Sequence, residues 1–170
     1  MADSKHAKSK TALDRADPEV VREMALRHLD RRAYGTAELA GVLVRKGADP
    51  GVVDEVLGRL TGVGLLDDGA YAAAVVEARH DTGHLSRRAV MFDLRRRGLP
   101  PDVVDAATSG LDDESDLEGA RRLAAGRLRS LAGLDVNVAR RRLAGALARQ
   151  GYSPNVVATV VSQTLPARND

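Results

Sequence analysis

The amino-acid sequence predicts an all-α fold, in which three tandem three-helix repeats form an elongated, curved helical array. The first observation is an internal repeat. A glycine, a proline three residues later and a Val-Val pair recur about every fifty residues, in Gly47–Val53, Gly98–Val104 and Gly151–Val157. The second is composition: the chain is 44% hydrophobic but only 2% aromatic, so Ala, Val and Leu must build the core, which suits closely packed helices. No stretch shows the alternation of a strand.

Each recurring segment has the residues expected where one helix ends and the next begins. The glycine suits a left-handed backbone just past a helix, and the proline suits the first position of the following helix. Because counterparts recur in the other copies, the central copy's architectural residues are predicted to be Leu94, Gly98, Pro101, Val103 and Val104.

Polar residues predict where the helices start. Asp17 before Pro18 and Asp49 before Pro50 are candidate caps, as are Thr36, Ser86 and Ser153. The predicted organisation is a disordered N-terminal arm (1–17), three repeats (18–66, 67–111 and 112–165) and a tail (166–170).

Composition also excludes several classes of protein. Without cysteine the chain can form no disulfide and no thiolate zinc site. No run approaches the roughly eighteen apolar residues of a membrane span, and Met1–Lys10 lacks the apolar region of a secretory signal. We therefore expect a cytoplasmic protein that does not bind membranes.

Two clusters resemble metal sites but have simpler interpretations. His80 and His84 have the spacing of a helical metal pair, but Gly83 lies between them, and both are expected near solvent at a helix end. Five acids could bind a divalent cation, yet they lie where a helix N-terminus favours negative charge. They are Asp112, Asp113, Glu114, Asp116 and Glu118. No phosphate-binding loop or nucleophile motif is present, so neither a cofactor nor catalysis is expected.

Arginine is the remaining functional feature, since it accounts for 22 of the 26 basic residues. Basic side chains flank the second helix of each repeat and would form a stripe if equivalent faces align. This stripe could bind an acidic partner, or it could be a solvated face. The candidate partner-binding residues are Arg45, Lys46, Arg87, Arg88, Arg95, Arg96, Arg97, Arg140, Arg141, Arg142 and Arg149.

Several motifs resemble those of one known family, the RecX regulatory proteins. Gly64–Ala72 is similar to that family's Gly-Leu-Leu-Asp-Asp-x-x-Tyr-Ala motif. Further similarity lies in Tyr34–Leu39 with Leu43–Gly47, and in Gly83–Arg88 with Leu94–Gly98.

The resemblance implies a non-enzymatic protein of three tandem three-helix units that inhibits the RecA recombinase. Such a protein binds the groove of the RecA–single-stranded-DNA filament and curbs its growth, ATP hydrolysis and strand exchange. It implies a role in DNA repair and the SOS response. We expect a monomer, and weak binding to single- or double-stranded DNA stays open. The alternative function is a helical DNA-binding protein that acts without RecA.

Overall fold

The computed structural model describes residues 15–166, which form nine α-helices and no strand, so the all-α prediction is confirmed. Most of the predicted N-terminal arm and tail lies outside the described residues. The helices are α1 (Pro18–Leu29), α2 (Thr36–Arg45), α3 (Pro50–Gly62), α4 (Asp68–Val76), α5 (Arg87–Arg96), α6 (Pro101–Ala107), α7 (Asp113–Leu131), α8 (Val136–Arg149) and α9 (Pro154–Thr164).

The predicted start signals operate at α1, α3 and α9. Each of these helices has proline in its first turn and a capping side chain directly before it. Asp17 Oδ1 accepts the Glu19 N–H at 2.9 Å, and Asp49 Oδ1 accepts the Gly51 N–H at 2.9 Å. Capping is therefore local here, because cap and helix are contiguous in sequence.

The three recurring glycines all adopt the left-handed backbone that was predicted. Gly47, Gly98 and Gly151 have φ values of 91°, 82° and 88°. A side chain at such a φ is strained. The buried Leu94 and Val104 on either side of Gly98 confirm the architectural role predicted for this segment.

The chain divides into two compact units. The first is formed by the described part of Met1–Ala72 together with Arg97–Pro100, and the second by Ala73–Arg96 and the described part of Pro101–Asp170. In the first unit α1, α2 and α3 bury a core of Val21, Ala25, Leu39, Leu43, Val53, Val56, Leu57 and Leu60. In the second unit α7, α8 and α9 bury Ala120, Leu123, Ala124, Leu143, Leu147, Val160 and Val161. Ala, Val and Leu dominate both cores, as the composition predicted, and Tyr152 is also buried in the second.

The N-terminus of α2 differs from the prediction. Thr36 was predicted to cap this helix, but it is the first helical residue, and Gly35 precedes it. The Thr36 N–H donates instead to Asp68 Oδ1 at 2.7 Å. The cap therefore comes from the start of α4, far along the sequence, where local sequence signals do not reveal it.

The end of α4 corrects the expectation for the histidines. The helix continues as a π-helical segment over Glu77–Thr82. Because a π-helix has a wider spacing than an α-helix, the next buried side chain after Val75 is His80, five residues later. His80 is only 2% exposed, so it does not lie near solvent as predicted. His84 follows with a left-handed φ of 53° and is half-buried.

Among residues 15–166 we find no helix with the length and apolar character that crossing a membrane requires.

Candidate functional site

The candidate basic residues are distributed over both units. Arg45, Lys46 and Arg97 belong to the first unit, and the other eight belong to the second. All are exposed except Arg97 and Arg140, which are half-buried. Their partners within the chain differ, and this difference separates structural arginines from those available to bind.

Arg97 is part of a polar network in the first unit. Its Nη1 donates to the Tyr71 hydroxyl at 2.6 Å, and that hydroxyl donates to Glu38 Oε2 at 2.8 Å. Arg32 Nη2 donates to the second oxygen of the same carboxylate at 2.7 Å. Burial raises the pKa of Glu38, but the hydrogen bonds from Arg32 and Tyr71 and the charges of Arg32 and Arg97 outweigh it, so the pKa is lower than usual. Arg97 therefore stabilises the fold.

Two of the candidates lie at the N-terminus of α5. The backbone N–H of Arg87 donates to Asp116 Oδ1 at 2.7 Å, and Ser86 Oγ accepts the Ala89 N–H at 3.2 Å, as predicted for a cap. Arg88 Nη2 donates to the Gly151 carbonyl at 3.3 Å. The side chain of Arg87 has no hydrogen bond or ion pair among the described residues.

At the other end of α5 the arginines face carboxylates. Arg96 Nη2 lies 3.3 Å from Asp93 Oδ1, and Arg79 Nε lies 3.4 Å from Asp93 Oδ2. Arg95 Nη2 lies 3.8 Å from Asp105 Oδ1. The buried Asp93 thus holds two guanidinium groups in place and partly neutralises them.

Sequence reasoning missed the aromatic residue on this surface. Phe92, the chain's single phenylalanine, is 69% exposed, and Arg88 and Arg96 lie one helical turn before and after it. A cleft of about 520 Å³ runs alongside, and its lining residues are Arg79, Leu85, Arg88, Ala89, Phe92, Asp93, Arg96 and Gly151. We call this the central face. Apolar residues on helices are usually buried, so only the structure reveals this exposure.

The third group of arginines surrounds a second cleft, of about 290 Å³, between α7 and α8. Arg141, Arg142 and Arg149 line it from α8, and Arg127 lines it from α7. Arg140 lies elsewhere: its Nη1 donates to the Leu165 and Pro166 carbonyls at 3.3 and 2.8 Å, at the end of α9. Of the arginine triplet, Arg141 and Arg142 therefore line the cleft between α7 and α8, whereas Arg140 does not.

The acidic cluster lies at the N-terminus of α7, as predicted, with Asp112 as its N-cap and Asp113, Glu114 and Asp116 in its first turn. Asp112 Oδ1 accepts the Ser115 N–H at 2.8 Å, and Ser115 Oγ accepts the Asp112 N–H at 2.9 Å, which is a capping box for α7. Asp116 caps α5, and its Oδ1 lies 3.7 Å from His80 Nε2. In the described part of the chain, no group of three or more His, Asp or Glu residues could hold a metal ion.

Comparison with known proteins identifies three domains that correspond to the three repeats predicted from the sequence. Family models for the first, second and third three-helix domains of RecX match residues 22–60, 67–107 and 113–161. The regulatory protein RecX of Streptomyces lividans is 43% identical over 150 residues, which cover 88% of this chain and 80% of that protein. The chain belongs to the RecX family. The RecX protein of Mycobacterium ulcerans is 41% identical over 154 residues, covering 89% of this chain and 88% of that protein.

Solved RecX structures share the fold. One crystal structure of regulatory protein RecX aligns with a TM-score of 0.70 at 21% identity, covering 94% of this chain and 78% of that one. RecX from Lactobacillus salivarius aligns with a TM-score of 0.71 at 16% identity, covering 86% and 96%. The resemblance that the motifs indicated is thus confirmed, and with it the arrangement of α1–α3, α4–α6 and α7–α9 as three RecX domains. The two relatives described above are named regulatory proteins.

Proposed function

We propose that this chain is a non-enzymatic negative modulator of the RecA recombinase. It binds in the groove of the RecA–single-stranded-DNA filament and limits filament growth, ATP hydrolysis and strand exchange, in DNA repair and the SOS response. Membership of the RecX family, through all three domains, is the observation that carries this proposal. We place the protein in the cytoplasm, where the filament forms, and expect it to act as a monomer.

The central face supports the proposal, and we propose it as the surface that contacts the filament. Protein interfaces commonly centre on an exposed aromatic or arginine anchor that becomes fully desolvated on binding. Phe92 is such an anchor, and its flanking Arg88 and Arg96 would meet carboxylates on the partner. Asp93 holds Arg96 in a fixed position, which lowers the entropic cost of binding.

RecA's DNA-dependent ATP hydrolysis, with this protein titrated in, tests the proposal. Substoichiometric amounts should lower the rate, because one filament-bound modulator affects many protomers. An unchanged rate at modest salt would refute the proposed function. Phe92→Ala should require about tenfold more protein for half-inhibition, the loss expected at an interface anchor. Val63→Ala is the matched control, since Val63 is a 72% exposed apolar residue outside this face.

Arg87→Glu with Arg88→Glu provides a second test, at the N-terminus of α5. Reversing both charges should weaken inhibition and leave the helix content unchanged, because both side chains are exposed. Equal inhibition by this variant and the unmodified protein would show that the pair is merely solvated.

The alternative function, a DNA-binding protein that acts without RecA, is favoured by the arginine cleft between α7 and α8. Such binding would need no partner protein and would weaken steeply with salt. A mobility shift with naked DNA, set beside the ATPase titration, separates the two. Binding to DNA without any effect on RecA would favour the alternative.

A further inference from the structure

The cleft between α7 and α8 brings one serine together with four arginines. Arg127 and Ser130 line it from α7, and Arg141, Arg142 and Arg149 line it from α8. In the part of the chain that the structure describes, none of these arginines has a carboxylate within 4.0 Å. Like charges held around one cleft repel each other, so a negative group placed among them relieves the repulsion.

The wall of the cleft formed by α8 lets a guanidinium group lie close to the helix. Gly145 lines the cleft, and a Cβ atom at this position would lie 3.3 Å from Arg149 Nη1, which is tighter than an ordinary contact. The planar fork of arginine donates paired hydrogen bonds to phosphate oxygens. A phosphate monoester has three terminal oxygens and a charge of about −1.5 to −2 at pH 7, so it suits several arginines at once.

Ser130 is the residue of this cleft whose hydroxyl can carry a phosphate. It is exposed, it is the penultimate residue of α7, and its Oγ donates to the Arg127 carbonyl at 2.7 Å. The chain leaves the helix directly afterwards, since Ala132 has an extended backbone with φ −61° and ψ 136°. Helix ends open at a lower free energy than helix interiors, so an enzyme can reach this hydroxyl without unfolding the domain.

The residues before Ser130 have a charge pattern that suits a kinase substrate. Arg127 and Arg129 stand three residues and one residue before it, and Ser130 is the only serine in the sequence with an arginine three residues earlier. Protein kinases distinguish substrates by the charges around the accepting hydroxyl. The local sequence and the arginines gathered by the fold therefore indicate the same residue independently.

We propose that Ser130 is a phosphorylation site and that the cleft between α7 and α8 binds the phosphoserine. A serine/threonine protein kinase supplies the phosphoryl group from ATP. Ser130 Oγ forms a bond to the γ-phosphorus, and the bond from that phosphorus to the bridging oxygen of ADP breaks. ADP leaves, and the hydroxyl proton passes to the catalytic aspartate of the kinase. The modification needs only this chain and the kinase, so it goes beyond the proposed function and does not depend on RecA.

Phosphorylation changes what the cleft attracts. A phosphate with a charge of about −2 cancels roughly half of the positive charge of the four arginines. The cleft is then filled by a group of the same chain, and its attraction for an acidic group from outside is weaker. The site is therefore a regulatory modification site.

The test compares phosphoserine incorporated by genetic encoding at position 130 or at position 162 of the full chain. Ser162 is the matched control, because it is exposed, lies in the last turn of α9 and donates from its Oγ to the Thr159 carbonyl at 2.8 Å. At both positions the phosphate opposes the helix dipole, so the difference between them reports the effect of the arginines. Thermal unfolding and a ³¹P NMR titration measure that difference.

The arginines should stabilise phosphoserine at position 130 and not at position 162. At position 130 the phosphate should raise the melting temperature of the unmodified chain by about 3 °C, whereas at position 162 it should give no rise. The second pKa of phosphoserine should be lower at position 130 than at position 162, because neighbouring arginines favour the dianion.

Removing arginines from the cleft should abolish both differences. The variant is Arg127→Gln with Arg142→Gln, which takes one guanidinium from each wall of the cleft. Its control is Arg27→Gln with Arg59→Gln, which removes the same charge from arginines of the first unit that are ion-paired on their own helices, and which should leave both differences unchanged. Circular dichroism checks that the helix content of each variant is retained.

A labelling experiment tests whether a kinase can reach Ser130 in the folded chain. The enzyme used is a kinase that selects arginine three residues before serine and that phosphorylates a synthetic peptide of residues 124–134. With radiolabelled ATP it should label Ser130 in the full chain, and Ser130→Ala should remove the label from this segment.

Two results would overturn the proposal. One is labelling of the peptide without labelling of Ser130 in the folded chain. The other is the same melting temperature and the same second pKa for phosphoserine at positions 130 and 162. Neither result involves RecA, so this proposal and the proposed function can fail separately.

Discussion

The N-termini of α2 and α5 are each capped by an aspartate far along the sequence, and at each of them a glycine packs closely against the first turn of the helix. At the α2 joint, Asp68 accepts the first helical N–H, and a Cβ atom at Gly98 would lie 2.8 Å from Ala37 Cβ. At the α5 joint, Asp116 accepts the Arg87 N–H, and a Cβ atom at Gly151 would lie 2.8 Å from Ala89 Cβ. Each joint lies within one compact unit.

The difference lies in what surrounds these contacts. The α2 joint adds the ionised network of Glu38, Tyr71 and Arg97. By the alignment of repeats, Ala89 and Gln150 stand where Glu38 and Arg97 stand. There the Gln150 carbonyl accepts the Ser86 N–H at 3.0 Å. The backbone caps are common to both joints. The charged side chains of Glu38 and Arg97 belong to the α2 joint, whereas at the α5 joint the backbone carbonyl of Gln150 accepts a hydrogen bond.

Adding a methyl group at Gly98 or Gly151 should have the largest effect on stability. Gly98→Ala and Gly151→Ala combine a strained left-handed backbone with overpacking, so each should lower the free energy of unfolding by about 2–5 kcal/mol. Gly133→Ala is the control, because its φ is 76° but its Cβ would meet nothing within 4 Å. Urea denaturation measures all three, and an equal loss at Gly133 would show that overpacking contributes nothing.

A double-mutant cycle tests which neighbouring atoms cause the overpacking at Gly98 and Gly151. Ala37→Gly should recover part of the loss in Gly98→Ala, since Ala37 Cβ is the single atom within 4 Å of the added methyl group. Ala89→Gly should recover less in Gly151→Ala, because Ser86 Oγ remains 2.7 Å away.

Removing the tyrosine hydroxyls should affect the two joints unequally. Tyr71→Phe leaves Glu38 and Arg97 without their shared partner, which should cost about 1.5–3 kcal/mol, as for hydrogen bonds to charged groups. The Tyr152 hydroxyl donates to the His84 carbonyl at 2.9 Å, and Tyr152→Phe should cost about 0.5–1.5 kcal/mol. Thermal unfolding of both variants gives the ranking. A larger loss of stability in Tyr152→Phe than in Tyr71→Phe would contradict stabilisation of the α2 joint by charged groups.

Replacing either capping aspartate should reduce stability by a similar amount. Asp68→Ala and Asp116→Ala should each cost about 0.5–2 kcal/mol, the usual loss of a cap, while Asn at either position keeps an acceptor and most of the stability. The exposed Asp113, which has no hydrogen bond or ion pair among the described residues, contributes only through the helix dipole, so Asp113→Ala should cost roughly 0.3 kcal/mol. Chemical denaturation at neutral pH distinguishes these values.

The smallest expected effect is on the pH dependence of stability, through Glu38 at the α2 joint. Glu38 has a folded pKa below its ordinary value of 4.5, so its stabilisation is complete above that value and is lost as pH falls through the folded pKa. Glu38→Gln should therefore reduce the acid dependence of the denaturation midpoint between about pH 6 and about pH 3. Some dependence should remain, because a backbone hydrogen bond from Ser115 lowers the pKa of Asp112 in the second unit. An unchanged curve would show that Glu38 titrates normally.

Local contacts were predictable from the sequence, whereas contacts between distant residues were not. The starts of α1, α3 and α9 and the three left-handed glycines follow from neighbouring residue types. The cap of α2 by Asp68 was missed because it joins residues from two domains. His80 was placed near solvent because helical periodicity does not reveal a π-helical turn.

The candidate binding residues show the same limit. Their basic character is plain in the sequence, but their partners depend on folding. Arg95 and Arg96 were predicted as binding residues, and the structure shows that Asp105 and Asp93 lie beside them. Which of the arginines bind a partner stays a prediction.

The caps of α2 and α5 also bear on the order in which the chain folds during synthesis. Asp68 and Asp116 each follow the helix they cap by about thirty residues, so each helix N-terminus leaves the ribosome before its acceptor does. A nascent first domain therefore exposes the Thr36 N–H to water until α4 emerges, and a nascent second domain waits in the same way for α7. Completion of the first and second domains thus depends on translation of the domain that follows.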